Sequence, residues 1–274
     1  MESPDPVIHP TAQVDPSAQL DSGVQIGPFC IVGPRVSISK NTRLDAHIYL
    51  DGIVEIGEEN HFFPYSSIGA DPQDVTYNQE PTRVKIGDRN IFREFMTINR
   101  GTVKEEELTE IGSDNYFMAY SHIAHDCRIG DHVVFINAVT LGGHCCVDDY
   151  VQLGGLTGVH PFCRIGKYAF AGGGTIITHD VLPFCKIAGA RPPLIYGPNS
   201  IGLRRLGFSR ERLKTIKEIY RIIFFLDLNT AQAVERIETE IPPGEDRDEI
   251  LTFVRSSGRG IVKKLSEEWK KDSV

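Results

Sequence analysis

An all-β solenoid with an α-helical tail is the fold class that the sequence predicts: a parallel β-helix of hexapeptide repeats followed by a C-terminal helical domain. Three observations carry the prediction. Apolar residues recur every sixth position from Ile8 through Ile68, resume at Ile86, and run again from Ile111 through Ile177, filling 26 of 26 slots. A period of six fits neither an α-helix nor a simple strand; it fits short strands forming the flat sides of a prism, with one side chain per rung directed at the axis. The beat breaks twice, within 70–83 and 100–109, where Asp71-Pro72-Gln73-Asp74 and Lys104-Glu105-Glu106-Glu107 are too polar for coil, so both read as loops ejected from the prism. Beyond about Pro183 it dies, and a helical periodicity replaces it.

Each element follows in order. Three rungs make a coil of 18 residues, which gives about nine or ten coils over residues 1–190. Many slots are followed by glycine, as in Ile26-Gly27, Ile56-Gly57 and Ile165-Gly166, and small residues there suit corners where the backbone bends. Pro192-Pro193, Gly197-Pro198 and Gly202 mark a linker into residues 191–274. Ser209 is placed to cap a helix whose stripe is Leu213, Ile216, Tyr220, Ile223 and Asp227; further helices follow Thr230 and Pro242-Pro243-Gly244.

Composition bounds the function. No apolar run approaches the roughly 18 residues that span a bilayer, and Met1 to Pro6 lack a signal-peptide pattern, so the cytoplasm is the expected compartment. Six cysteines without Cys-x-x-Cys spacing read as small apolar fillers rather than a zinc cage or disulfides. A net charge of −8 argues against nucleic acid as a partner. Against that acidic background, Arg204, Arg205, Arg210, Arg212, Lys214, Lys217 and Arg221 form a local basic face, which suits an acidic protein partner.

Residues about 18 apart lie one above another at the strand spacing of about 4.8 Å. His122, His125, His144 and His160 therefore fall near one longitudinal edge, and none occupies an axial slot. Imidazole is the side chain best matched to proton transfer near neutral pH, so the cluster reads as an acid–base site. A metal site is the alternative, disfavoured because the histidines are strung over two coil spacings.

The run His122-Ile123-Ala124-His125-Asp126-Cys127, the segment Gly69 to Tyr77, Ile86-Gly87-Asp88-Arg89-Asn90, Arg100-Gly101-Thr102, Gly112-Ser113-Asp114-Asn115, and the tail motifs Gly207-Phe208-Ser209-Arg210 and Arg259-Gly260 together resemble the UDP-N-acetylglucosamine O-acyltransferase family of lipid A synthesis. The resemblance covers nearly the whole chain. It implies a left-handed β-helix that forms a homotrimer, a 3-hydroxyacyl donor on acyl carrier protein, a UDP-amino-sugar acceptor, and no metal or other cofactor. His125 would be the general base, Asp126 would orient it, and the Gly143 amide would stabilise the oxyanion. Gln73, Asp74, His122, His144, His160, Asn199 and Arg205 would bind substrate, and Gly173 would set acyl-chain length. Thr76 and Asn99 depart from the lysine and histidine usual in the family, which opens a 3-amino sugar as acceptor. Asp126 reaches His125 only if the backbone bends between them, since strand neighbours face opposite ways. Two readings on the same fold compete: an acetyl-CoA-dependent acetyltransferase, and a zinc enzyme like the γ-carbonic anhydrases, whose paired histidines stand five apart where His122 and His125 stand three apart.

Overall fold

The computed structural model describes residues 5–272; Met1 to Pro4, part of the N-terminal segment considered above for signal character, lie outside the described residues. The chain winds as a left-handed parallel β-helix whose short strands stack into sheets of eleven, nine and eight strands, visited in turn. Register confirms the 18-residue coil: Gln25 pairs with Arg43 and Ile26 with Leu44 on the first sheet. It stretches where the loops leave, Phe62 pairing with Phe92 and Phe92 with Phe117. Both loops, residues 71–82 and 100–107, depart from the corner between the second and third sheets, one coil apart.

The axial slots form the core. From Ile26 through Ile177 every beat residue named above is buried, and Phe62, Phe92 and Phe117 stack at 4.5 and 5.2 Å. Fully burying such a side chain contributes about 1.5–3 kcal/mol, so the ladder is the main source of cohesion. Truncating Phe92 to alanine should cost about 3–5 kcal/mol. The exception is the first coil, where Ile8 is 44% exposed because no coil lies beneath it.

The glycines after the axial residues have a cause other than the one expected. Gly27, Gly57 and Gly166 do not have positive φ; they are needed because successive coils approach closely there, and a Cβ on Gly27 would fall 1.4 Å from the Asp45 carbonyl oxygen. The left-handed bend comes two residues later and is taken by larger side chains: Phe29, His47, Tyr65, Phe95 and Tyr120 have φ between 53° and 66°. Such a conformation costs roughly 1–2 kcal/mol per residue. Here the corner residues of successive coils stack ring on ring, 4.7 to 5.1 Å apart, which offsets much of that strain.

The coils end in a strand at Cys185–Ala188 that pairs parallel with Phe170–Ala171, and in Leu194–Pro198, which returns antiparallel to it. The eleven-stranded sheet therefore extends to Pro198. Five helices follow: α1 (Ser200–Arg205), α2 (Arg210–Phe225), α3 (Thr230–Glu240), α4 (Glu245–Ser256) and α5 (Glu267–Asp272). Ser209 caps α2 through the Arg212 N–H, and Asn229 with Gln232 makes a capping box on α3. On α2, Leu213, Ile216 and Tyr220 are buried as the stripe predicts, joined by Ile219 and Ile222. Asp227 falls outside the stripe: α2 stops at Phe225, and Asp227 sits beyond it with φ 52°. The Tyr220 hydroxyl donates to the Pro183 carbonyl at 2.7 Å, tying the helices to the last coil. Helix α1 occupies what the sequence marks as linker; its Asn199 cap outweighs the helix-weakening Gly202.

Candidate active site

The corner that ejects both loops carries His125 and Asp126 in the following coil and Gly143 and His144 in the one after. Ile123 points to the axis and closes its strand, so the chain must turn at 124–127. Asp126 makes the turn with φ 57°. That bend brings its Oδ2 to 2.8 Å from His125 Nδ1, the contact that a continuous strand forbids. Thr102, on the second loop, donates to the same carboxylate twice, from its N–H to Oδ1 at 2.8 Å and from its hydroxyl to Oδ2 at 2.6 Å. Burial pushes the Asp126 pKa up, but the hydrogen bonds from His125 and Thr102 and the nearby His144 outweigh it and hold the group below its ordinary value. An ionised Asp126 fixes Nδ1 of His125 as the donor, which leaves Nε2 facing outward as a proton acceptor.

Gly143 lies against the face of that imidazole. A Cβ there would stand 2.5 Å from His125 Cε1, so only glycine fits. Among the described residues no acceptor takes the Gly143 N–H. A free backbone donor beside a general base is the pairing that acyl transfer needs. His144 meets His125 edge to face at 5.0 Å, stacks on Phe162 at 4.3 Å, and brings Nε2 to 3.7 Å from Asp126 Oδ2. Glu105 Oε1 approaches His144 Nδ1 at 3.2 Å, an electrostatic contact without hydrogen-bond geometry.

His122 stands on the outer face of the second sheet, where Nδ1 is 2.7 Å from Thr97 Oγ1. Burial, then the neighbouring His125, lowers its pKa, which favours the neutral ring. Thr97 also lines a cavity of about 410 Å³ with Tyr49, Asp51, Asp71, Gln73 and Asn99. The two loops interlock over it. Arg100 grips Asp71, donates to the Tyr77 hydroxyl at 2.9 Å and to the Gly69 carbonyl at 2.8 Å, while Lys104 pairs with Asp74. That lysine, with backbone and hydroxyl donors of Thr76, holds Asp74 well below the usual carboxylate range. Asn99 donates to the Asp71 carbonyl at 2.7 Å, while its buried Oδ1 has no partner among the described residues.

His122, His125, Asp126, Gly143 and His144 are therefore gathered, with Gln73 and Asp74 on the adjoining loop. Four expected residues are not. His160 is exposed and belongs to the column of Ala124 and Gly142, its Nδ1 3.1 Å from the Pro161 carbonyl. Gly173 sits at the opposite edge of the second sheet, with open space apart from the Gly155 carbonyl oxygen, 3.3 Å from where its Cβ would stand. The Asn199 side chain binds Gly202 N and the Tyr168 carbonyl at the third corner, and Arg205 closes α1 beyond it. For Gly173, Asn199 and Arg205 the reason is geometric: one chain wraps its three corners around the prism and cannot bring them to one another; His160 shares the corner but stands two coils beyond His125. Of the basic face, Arg212 is engaged by Asp246 and Arg221 by Glu218, whereas Arg210, Lys214 and Lys217 have no ion-pair partner among the described residues.

Thr102, Glu105, Arg100 and Lys104 are site residues whose roles the spacing does not reveal. Thr102 stands 24 residues before Asp126. Subtracting the inserted loop would have placed it at the same corner, but the loop's path is not written in the period. Donor atoms of His125, Asp126 and His144 lie within 4.8 Å of one another, a set that could hold a cation. The chemistry of the set disfavours it, because the Asp126 oxygens are already occupied by Thr102 and His125.

Comparison with known proteins gives a consistent pattern. The family described as UDP N-acetylglucosamine O-acyltransferase, domain 2, matches residues 180–262, and the bacterial transferase hexapeptide repeat matches residues 108–143. The acyl-[acyl-carrier-protein]–UDP-N-acetylglucosamine O-acyltransferase of Syntrophobacter fumaroxidans is 45% identical over 256 residues, 93% of this chain and 99% of the relative. The protein of that name from Alkalilimnicola ehrlichii is 45% identical over 201 residues, 73% and 77% of the two chains. The structure of LpxA from Acinetobacter baumannii superposes with a TM-score of 0.91 at 41% identity, covering 94% of this chain and all of that one. The Francisella novicida UDP-N-acetylglucosamine acyltransferase gives 0.92 at 37% identity, over 96% and 98%.

Proposed function

Because the chain belongs to the UDP-N-acetylglucosamine O-acyltransferase family, we propose that His125 is its general base, Asp126 the group that orients that base, and the Gly143 amide the donor to the oxyanion. The enzyme moves a 3-hydroxyacyl chain from acyl carrier protein to the 3-position of UDP-N-acetylglucosamine, the first step of lipid A biosynthesis. A sugar hydroxyl is a poor nucleophile at neutral pH, whereas a thioester is already activated, so the reaction needs a base but no covalent enzyme intermediate. His125 Nε2 takes the hydroxyl proton as the sugar oxygen bonds to the thioester carbonyl carbon. Negative charge then gathers on the carbonyl oxygen, which the Gly143 N–H meets. Collapse breaks the C–S bond, and the imidazolium returns its proton to the departing thiol. Ionised Asp126 stabilises the imidazolium in between.

The single observation that carries the reading is that Gly143, whose N–H has no acceptor among the described residues, packs against the His125 imidazole, and that Asp126, itself held by Thr102, fixes Nδ1 of that ring. Gln73, Asp74, His122 and His144 would bind the acceptor sugar around the 410 Å³ cavity. Asn199 and Arg205 lie off this corner within one chain, and His160 lies on it two coils beyond His125 with its side chain exposed, which supports assigning them to a cleft shared with a second copy in a homotrimer. The unpaired cations of α2 would meet the acidic carrier protein, giving the helical residues 191–274 a docking role and residues 1–190 the chemistry. Both substrates are cytoplasmic reagents, and the same compartment is assigned to the enzyme.

The test is mass spectrometry of the product formed from a mixed pool of 3-hydroxyacyl carrier proteins, with acetyl-CoA present, offered both a 3-hydroxyl and a 3-amino UDP sugar. Acylation from the carrier protein is the expected outcome; acetylation instead would overturn the donor assignment.

A further inference from the structure

The cysteine that follows the proposed dyad touches the peptide that carries the proposed oxyanion donor. Cys127 is buried, and its thiol donates to the Gly142 carbonyl of the next coil at 3.2 Å. That carbonyl and the Gly143 N–H belong to one planar peptide unit, so fixing the oxygen fixes the direction of the N–H. The peptide needs such a hold. It joins two glycines, which lack the side chains that restrain a backbone elsewhere. Neither position can acquire one, since a Cβ would meet Pro161 Cδ at 2.6 Å or His125 Cε1 at 2.5 Å. A donor on the carbonyl also draws electron density from the amide nitrogen and strengthens its N–H as a donor.

The fold uses this device at other corners with the same 15-residue offset. Thr42 donates to the Gly57 carbonyl at 2.9 Å, and Cys145 to that of His160 at 3.3 Å. Only at Cys127 does the receiving peptide present the Gly143 amide to the base. We propose that Cys127 is a positioning residue, its thiol aiming and polarising the Gly142–Gly143 peptide toward the developing oxyanion. The inference rests on the role assigned above to Gly143.

The experiment is steady-state kinetics of Cys127→Ala, Cys127→Val and Cys127→Ser in the full-length enzyme, with acylated carrier protein and sugar nucleotide varied in turn. Alanine removes the donor by truncation, valine removes it at nearly conserved volume, and serine keeps a donor. An oxyanion contact acts in the transition state, so kcat should fall about tenfold in Ala and Val with KM for the sugar nucleotide unchanged. Serine should recover kcat to within about twofold, whatever its effect on melting. Cys163→Ala is the control, a buried thiol of the same column two coils on, with no contact to Gly142. The inference is overturned if Cys127→Ser is as slow as Cys127→Val, or if Cys127→Val turns over as fast as Cys163→Ala. His125→Ala separates this from failure of the site itself: full turnover there removes the base and oxyanion reading and the inference with it, whereas an inactive His125→Ala leaves the cysteine variants decisive.

Discussion

Asp126 turns back on its own neighbour: at φ 57° its Oδ2 lies 2.8 Å from Nδ1 of His125. Two successive residues of a strand point to opposite faces, so the contact exists only because the β-helix turns a corner between one sheet and the next. The corner also fixes where the partners come from. Thr102 arrives from the loop of the preceding coil and Gly143 from the following one, so a dyad adjacent in sequence is completed by residues 24 before and 17 after.

His125→Ala removes the group proposed to accept the proton of the acceptor hydroxyl. Turnover should fall by about 10²–10⁴, the usual worth of general acid–base catalysis. The ring contributes no axial packing, so thermal melting should stay near that of the parent. Retained turnover would refute the base assignment.

Thr102→Val deletes the hydroxyl, one of the three donors to the Asp126 carboxylate, while Thr102→Ser keeps it. The depressed Asp126 pKa contributes stability present above its unfolded value and lost as pH falls through the folded value. Without the hydroxyl that folded value rises. The acid side of the rate profile should then shift upward in pH in Val, with kcat down by about tenfold, and return in Ser. A profile unmoved in Val would show that the hydroxyl does not govern Asp126.

Gly143 and Gly173 should respond in opposite ways. Gly143→Ala drives a methyl group into His125 and should cost about a hundredfold or more in kcat for every acyl chain. Gly173→Met meets only the Gly155 backbone within 4 Å of its Cβ, the carbonyl oxygen at 3.3 Å, and should permit folding and catalysis of short acyl donors while excluding long ones. Competition among carrier proteins bearing different chain lengths checks both; an unchanged preference in Gly173→Met would remove that residue from chain-length control.

Chelation addresses the His125–Asp126–His144 set. Since Thr102 and His125 already occupy the Asp126 carboxylate, turnover should survive dialysis against EDTA, and added zinc should inhibit rather than activate. Loss of activity on chelation with recovery on zinc would transfer the site to metal chemistry.

Asp148 tests electrostatics away from the site. Burial raises its pKa to about 6, so the penalty on its charge is absent below the unfolded value, grows as pH rises from that value to 6 and is complete above 6. Asp148→Asn should therefore stabilise the protein by on the order of 1–2 kcal/mol at pH 8 and by little near pH 3. Melting temperatures compared at the two values decide it; equal effects at both would show that the charge is not the cause.

Much of this was legible in the chain itself. The sixfold beat determined the coil, its core and the exit points of both loops, because each rung must send one apolar residue inward and any chain that violates this exposes its core. It also put His125 and His144 on one edge, since position around a regular prism follows from residue number. The helical cap at Ser209 is local chemistry, readable for the same reason. What tertiary structure alone decided lies where the period is broken or shared. The corner glycines answer to contacts with the next coil rather than to their own φ, and Asn199 became a helix cap. Thr102 reached Asp126 along a loop path that no repeat encodes. Asn199, Arg205 and Gly173 were separated from His125 because a single chain distributes its corners around an axis, and His160 because it stands two coils on along the same corner, so nearness in a repeat does not become nearness across the prism. A periodic sequence dictates height and angle along the solenoid; how an ejected loop folds back, and which peptide it leaves free to donate, depends on packing between segments that the period does not relate.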